Sequence, residues 1–199
     1  MMRMVRTIIL VLVGSILLAA CAWLAGTSRA NTESPQYEVL RTEGKFELRS
    51  YPGLTVVTTP MDGAGTSGAF GRLFRFITGG NAGHGKIAMT TPVLIDAAEE
   101  QRTMSFIMPR KATATGVPSP EDERLKVRTL GAAKFAALRF SGGRSAENEQ
   151  AAAEALRRWI GEQGLIAEGG VLFAYYDPPW TPIPLRRNEV LVRVKDAAR

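Results

Sequence analysis

The chain is poor in the residues on which most metal and redox chemistry depends. Its 199 residues include one cysteine, Cys21, and one histidine, His84. A single cysteine excludes an internal disulfide and a cysteine-rich metal centre. A structural zinc site needs several nitrogen, sulfur or carboxylate ligands together, so one His makes such a site a poor reading. There is also no run of like charge. The net charge of +6 is spread along the chain, with basic and acidic residues interspersed, so no arm or patch of the kind that grips nucleic acid is present and no nucleic-acid partner is expected. Nucleophile triads are missing too, because neither a Ser-His-Asp nor a Cys-His set has the partners it needs. The glycine-rich stretch GGNAGHGK does not fit a phosphate-binding loop, since Ile87 follows Lys86 where Ser or Thr is required. What is present is ordinary globular material, 45% hydrophobic and 22% charged, enough for one domain with its own core.

The N-terminus reads as an address. Residues 1–6 carry Arg3 and Arg6 and no acid, and residues 7–20 (TIILVLVGSILLAA) are almost entirely apolar. A basic start followed by a short apolar run marks a secretory signal. The run ends in Leu18-Ala19-Ala20-Cys21, which resembles the lipobox of bacterial lipoproteins. That resemblance implies a signal peptide over 1–20, a diacylglycerol thioether on Cys21, and a flexible small-residue tether over 21–36. Ala22 after the Cys suits the outer membrane, facing the periplasm. Two alternatives stand beside it: cleavage near Ala20 or Ala30 without lipid, or retention of residues 7–28 as a transmembrane anchor.

From residue 37 onward the pattern alternates between strand and helix. Residues 37–40, 46–51 and 54–59 have the period-two or β-branched character of strands. In AFGRLFRFITGG, Phe70, Leu73, Phe74 and Ile77 fall at i, i+3, i+4 and i+7, the apolar stripe of a surface helix. Segments 86–95 and 103–109 read as strands, and 111–123 as a connecting loop. The second half repeats this grammar, with strands at 125–130 and 132–140, a helix at 145–161, and strands at 171–176 and 190–195. Ala152, Ala155, Leu156, Trp159 and Ile160 share one face of the second helix. Two β-α-β-β units of this kind predict an α+β domain on a mostly antiparallel sheet.

Several strings also look familiar as an ordered set: YEVLRTEGKFELRSYPG (37–53), AFGRLFRFITGGN (69–81), KIAMTTPV (86–93), MSFIMP (104–109) and RRNEVLV (186–192). Together they resemble the SOUL/heme-binding family over the whole folded part, 37–196. The resemblance implies a distorted antiparallel β-barrel of two pseudo-symmetric halves with two flanking helices. It implies binding of heme or another tetrapyrrole in a surface cleft beside the first helix, near the loop before the last strand. It implies no enzymatic activity, and a monomer is expected.

Heme is a flat apolar disc with two carboxylates and an iron, so its site needs an apolar slot, cations at the rim and, optionally, a ligand to the metal. Phe76 lies off the predicted helix stripe, with Arg72 four residues before it, a pairing that suits a porphyrin face and a propionate. The plainer alternative is a ring packed under a loop beside a solvated arginine. His84, in the glycine-rich loop after that helix, is a candidate iron ligand, or else an ordinary solvent-facing loop residue. Met89, Met104 and Met108 read as core fillers before thioether ligands. Tyr176 precedes a four-proline loop with Trp180 near its tip, placed to close over a ligand. Arg186 and Arg187 follow as propionate partners, or as surface charge with Glu189. Two other functions remain open from the residues alone: a binder of another amphipathic effector, and a carboxylate-dependent hydrolase.

Overall fold

A computed structural model describes residues 32–62, 65–97 and 101–197, together with Gly14. The signal segment, Cys21 and most of the tether lie outside the described residues. Among the described residues no helix is long and apolar enough to cross a membrane.

Nine strands and three helices follow one another as β1 (Glu38–Glu43), β2 (Phe46–Tyr51), β3 (Leu54–Pro60), α1 (Gly65–Ile77), β4 (Val93–Asp96), β5 (Thr103–Ile107), α2 (Arg110–Thr115), β6 (Lys126–Leu130), β7 (Ala133–Phe140), α3 (Ala146–Glu162), β8 (Leu165–Tyr175) and β9 (Asn188–Asp196). A 3-10 turn, Ile183–Leu185, precedes β9. Strand β4 is shorter than the expected 86–95, and the expected loop at 111–123 opens with the short α2.

All nine strands form one sheet in the order β1-β2-β7-β9-β8-β4-β5-β3-β6, and every pairing is antiparallel. The order is a palindrome of the predicted units. The unit β7-α3-β8-β9 contributes β7, β9 and β8, and the unit β3-α1-β4-β5 contributes β4, β5 and β3. The two meet where β4 pairs with β8. The strands that lead into them are exchanged, since β2 pairs with β7 and β6 pairs with β3. The ladder is not closed into a barrel, and β1 and β6 are its edges. Every residue of both edge strands is exposed, and their Glu, Arg and Lys residues discourage pairing with a further strand.

One face of the sheet carries the main core. Leu73, Phe76 and Ile77 from α1, and Leu156, Trp159 and Ile160 from α3, pack there on Val57, Ile95, Phe106, Phe173, Val190 and Val192. Helix α3 is the one expected. Ser145 caps it by accepting a hydrogen bond from the Asn148 amide at 3.2 Å. Trp159 stacks on Phe46 with ring centroids 5.4 Å apart and donates to Glu43 at 2.8 Å.

Helix α1 is turned about its axis from the expected stripe. Ala69, Arg72, Leu73, Phe76 and Ile77 are its buried residues, while Phe70 and Phe74 are 39% and 48% exposed. Both arcs have i, i+3, i+4 spacing. The buried one has Ala69, whose small side chain permits close approach to the sheet, and Arg72, which is hydrogen-bonded across to it. Arg72 donates to Thr59 Oγ1 at 2.9 Å and to the Pro60 carbonyl at 2.5 Å. The reading of Phe76 as an exposed ring beside a free guanidinium is therefore corrected: Phe76 is fully buried core, and Arg72 ties α1 to the end of β3.

Candidate binding cleft

The strands near the centre of the sheet are apolar at both parities, so burying one face leaves a second apolar face. Val171, Phe173 and Tyr175 of β8 turn toward the helices, and Leu172, Ala174 and Tyr176 turn away. On β9, Val190 and Val192 face the helices and Leu191 faces away. The long described helices, α1 and α3, both pack on the first face. It forms a cleft of about 410 Å³ with contributions from both halves, among them Leu54, Leu94, Phe135, Leu172, Leu191 and the tyrosines Tyr51 and Tyr176. That volume lies within the range of small-molecule sites, and a mostly apolar lining with a few polar groups is their usual make-up. Gly170 borders the cleft beside a β-bulge in β8, where Gly169 takes φ +75° and the register shifts between Glu168 and Val171. Asp96, Glu168 and Arg193 also border it, and Arg193 and Lys195 pair with Glu168 at 3.4 and 3.0 Å.

The two tyrosines lead into a buried charge cluster. Glu189 is fully buried. It accepts from Arg49 at 2.6 and 3.2 Å, from Arg187 at 2.9 and 2.5 Å, and from the Tyr176 hydroxyl at 3.0 Å. Arg49 also donates to Glu47 at 2.6 Å and to the Tyr51 hydroxyl at 3.2 Å. The guanidinium of Arg49 lies 4.4 Å from the Tyr37 ring centre and that of Arg187 4.1 Å from the Tyr176 ring centre. Burial by itself would raise the Glu189 carboxyl, but hydrogen bonds and charge from Arg49, then the charge of Arg187, hold it below the usual carboxylate range. Burial pushes the Tyr51 phenol up to about 12, against a smaller opposing pull from Arg49. Burial, then the charge of Glu189, pushes Tyr176 up as well. Both cleft tyrosines are therefore neutral hydroxyls at neutral pH.

The residues singled out from sequence fall in separate places. Tyr176 lines the cleft. Arg187 is committed to Glu189 behind it. Arg186 folds the proline-rich loop, donating to the Thr181 and Pro179 carbonyls at 2.8 and 2.5 Å. Trp180 is 67% exposed on that loop. Arg72 and Phe76 border a shallow hollow with Gly80, Glu121 and Leu125, and their helix packs on the other face of the sheet. His84 is 79% exposed, takes φ +48°, and places Nδ1 3.4 Å from Glu121. Met104 and Met108 are core, and Met89 packs against it. Among the described residues the cleft lining contains no His, Cys or Met, and no cluster of three His, Cys, Asp or Glu side chains able to bind a metal is present. Sequence reasoning missed Tyr51, Arg49 and most of the cleft wall.

The described residues thus form a two-half α+β sheet with the long helices on one face and an apolar cleft on the other. The chain matches the model of the SOUL heme-binding protein family over residues 32–193, and it belongs to that family. A comparison with curated protein sequences finds no match. Among solved structures the fold is similar to the C-terminal domain of EcmrR, at 12% identity and TM-score 0.56, covering 81% of this chain and 99% of that one. It is also similar to a hydrolase from Listeria innocua, at 10% identity and TM-score 0.57, covering 78% of this chain and 94% of that one. At these identities the likeness concerns the fold alone.

Proposed function

We propose that the protein binds heme or a related tetrapyrrole, without catalysis, in the apolar cleft, and that it does so at the bacterial envelope, anchored through a lipid on Cys21. The family match over 32–193 carries the tetrapyrrole reading. The cleft suits the group: Leu54, Leu94, Phe135, Leu172 and Leu191 offer an apolar slot, and Tyr51 and Tyr176 offer hydroxyls. With no His, Cys or Met among the described lining residues and with neutral tyrosines, these residues would hold the macrocycle by its faces and edges and not by its iron. Bound there, heme would supply the redox and ligand chemistry of its iron.

The test is an absorbance titration of the full-length chain in mild detergent, against a detergent blank, with hemin and with metal-free protoporphyrin. Both are expected to saturate near one equivalent. A Soret shift confined to hemin and lost in His84→Ala would move the ligand to the loop after α1. Absence of saturation with either would favour the second reading, a binder of another amphipathic molecule. For the anchor, Cys21→Ala is expected to release the protein from the membrane fraction. A variant that still pellets with membranes would indicate a retained transmembrane segment.

A further inference from the structure

The buried cluster behind the cleft spends nearly all its hydrogen-bonding capacity on itself. Glu189 receives Arg49, Arg187 and Tyr176, and Glu47 receives Arg49. The formal charges of Arg49, Arg187, Glu189 and Glu47 balance. The Tyr176 proton is already given to Glu189. Tyr51 differs. Its oxygen accepts from Arg49 at 3.2 Å, and a phenol that accepts in this way still has its own proton to donate. Among the described residues, the contact with Arg49 is the one side-chain hydrogen bond of this hydroxyl, and it does not use that proton. The ring is fixed by Tyr37 at 4.9 Å and by Phe135 edge-on at 5.6 Å. Tyr51 is 7% exposed and borders the cleft.

We infer that Tyr51, polarised by the Arg49 guanidinium, is the donor that orients the cleft's ligand by reading an acceptor oxygen on it. For the tetrapyrrole proposed above, on which this inference rests, that oxygen belongs to a propionate carboxylate. A neutral, pre-oriented donor backed by a cation suits a carboxylate at the edge of an apolar disc, because the disc fills the slot and the oxygen meets a fixed hydroxyl with a proton left to give.

The experiment compares hemin with hemin dimethyl ester, in which the propionates are esterified. Each is titrated into the full-length chain and its Tyr51→Phe variant. The readout is the preference for acid over ester, taken as a ratio between variants so that partition into detergent cancels. Tyr51→Phe keeps the ring and removes only the hydroxyl, and circular dichroism confirms its fold. A hydrogen bond to a charged acceptor is worth enough that the preference should fall roughly tenfold in Tyr51→Phe. Tyr175→Phe, which removes a half-buried phenol at the end of β8 on the helix-side face of the sheet, should leave the preference as it is. A preference equal in wild type and Tyr51→Phe, with binding intact, would overturn the inference and leave the tetrapyrrole reading standing. Failure of the wild type to bind either porphyrin would overturn both.

Discussion

At the residue scale, two neighbouring tyrosines at the end of β8, Tyr175 within it and Tyr176 just after it, serve opposite faces by the same chemistry. Tyr176 donates to Glu189, which is held by Arg49 and Arg187. Tyr175 donates to Glu149 at 2.5 Å, and Glu149 also receives Arg102 at 3.0 Å and Arg144 at 3.4 Å. Each buried carboxylate is tolerable only because two guanidiniums and a phenol replace its water. Glu189→Gln leaves the buried Arg49 with only Glu47 and the half-buried Arg187 without the carboxylate it is committed to. Urea unfolding at pH 7 is expected to show a loss of about 3–5 kcal/mol, and a loss below about 1 kcal/mol would contradict the account. The sign of the pH dependence follows from the depressed carboxyl. The unfolded chain takes up the proton first, so the contribution of Glu189 is fully present above the ordinary value of 4.5 and is lost as pH falls through the lower folded value. Asp122 acts in the same direction, mainly through its hydrogen bond from Arg124, between 3.8 and about 2. The urea midpoint of the wild type should therefore fall with pH below 4.5, and more steeply than that of Glu189→Gln.

At the element scale, α1 shows where sequence patterns stop being decisive. Its residues offer two overlapping arcs, and apolarity alone favours the one with Phe70 and Phe74. Those two rings instead stack on each other, centroids 6.0 Å apart, and Phe70 meets Phe106 edge-on at 5.3 Å. The arc that packs is chosen by Ala69 and by what Arg72 reaches on β3, facts of tertiary contact that no period in the chain encodes. Thermal or urea unfolding distinguishes the arcs: Phe76→Ala should cost about 3–5 kcal/mol, whereas Phe74→Ala should cost well under 1 kcal/mol. Helix α3 was legible because one arc holds all its large apolar residues and a Ser stands before it. The strands were legible from their β-branched and aromatic runs. The cleft had a signal too. Residues 171–176 and 190–194 are apolar at nearly every position, and a strand of that kind needs both faces covered, yet the sequence offers only two long helices. The exchange of β2 and β6 between halves, which brings Tyr51 to Phe135 and Leu54 to Leu130, joins segments some eighty residues apart and leaves no local trace.

At the scale of the whole molecule, the palindromic sheet accounts for the site. Each half buries one face under its own helix, and the two sheets join edge to edge through β4 and β8. The unclaimed faces then meet as one cleft, framed by a charged cluster on one side and by Glu168, Asp96 and Arg193 elsewhere. The family to which the chain belongs suggests the class of ligand, and we propose the cleft for it in place of the surface beside α1 expected from sequence. The most direct test is to fill that place. Leu172 borders the cleft at the middle of β8 and is only half-buried, so Leu172→Trp should occupy the slot without disturbing the helix-side core. Titration of hemin into the full-length Leu172→Trp variant, followed at the Soret band, is predicted to show binding weakened at least roughly tenfold with the fold intact, the loss of about 1.4 kcal/mol of contact. A titration indistinguishable from that of the wild type would contradict the cleft as the binding site.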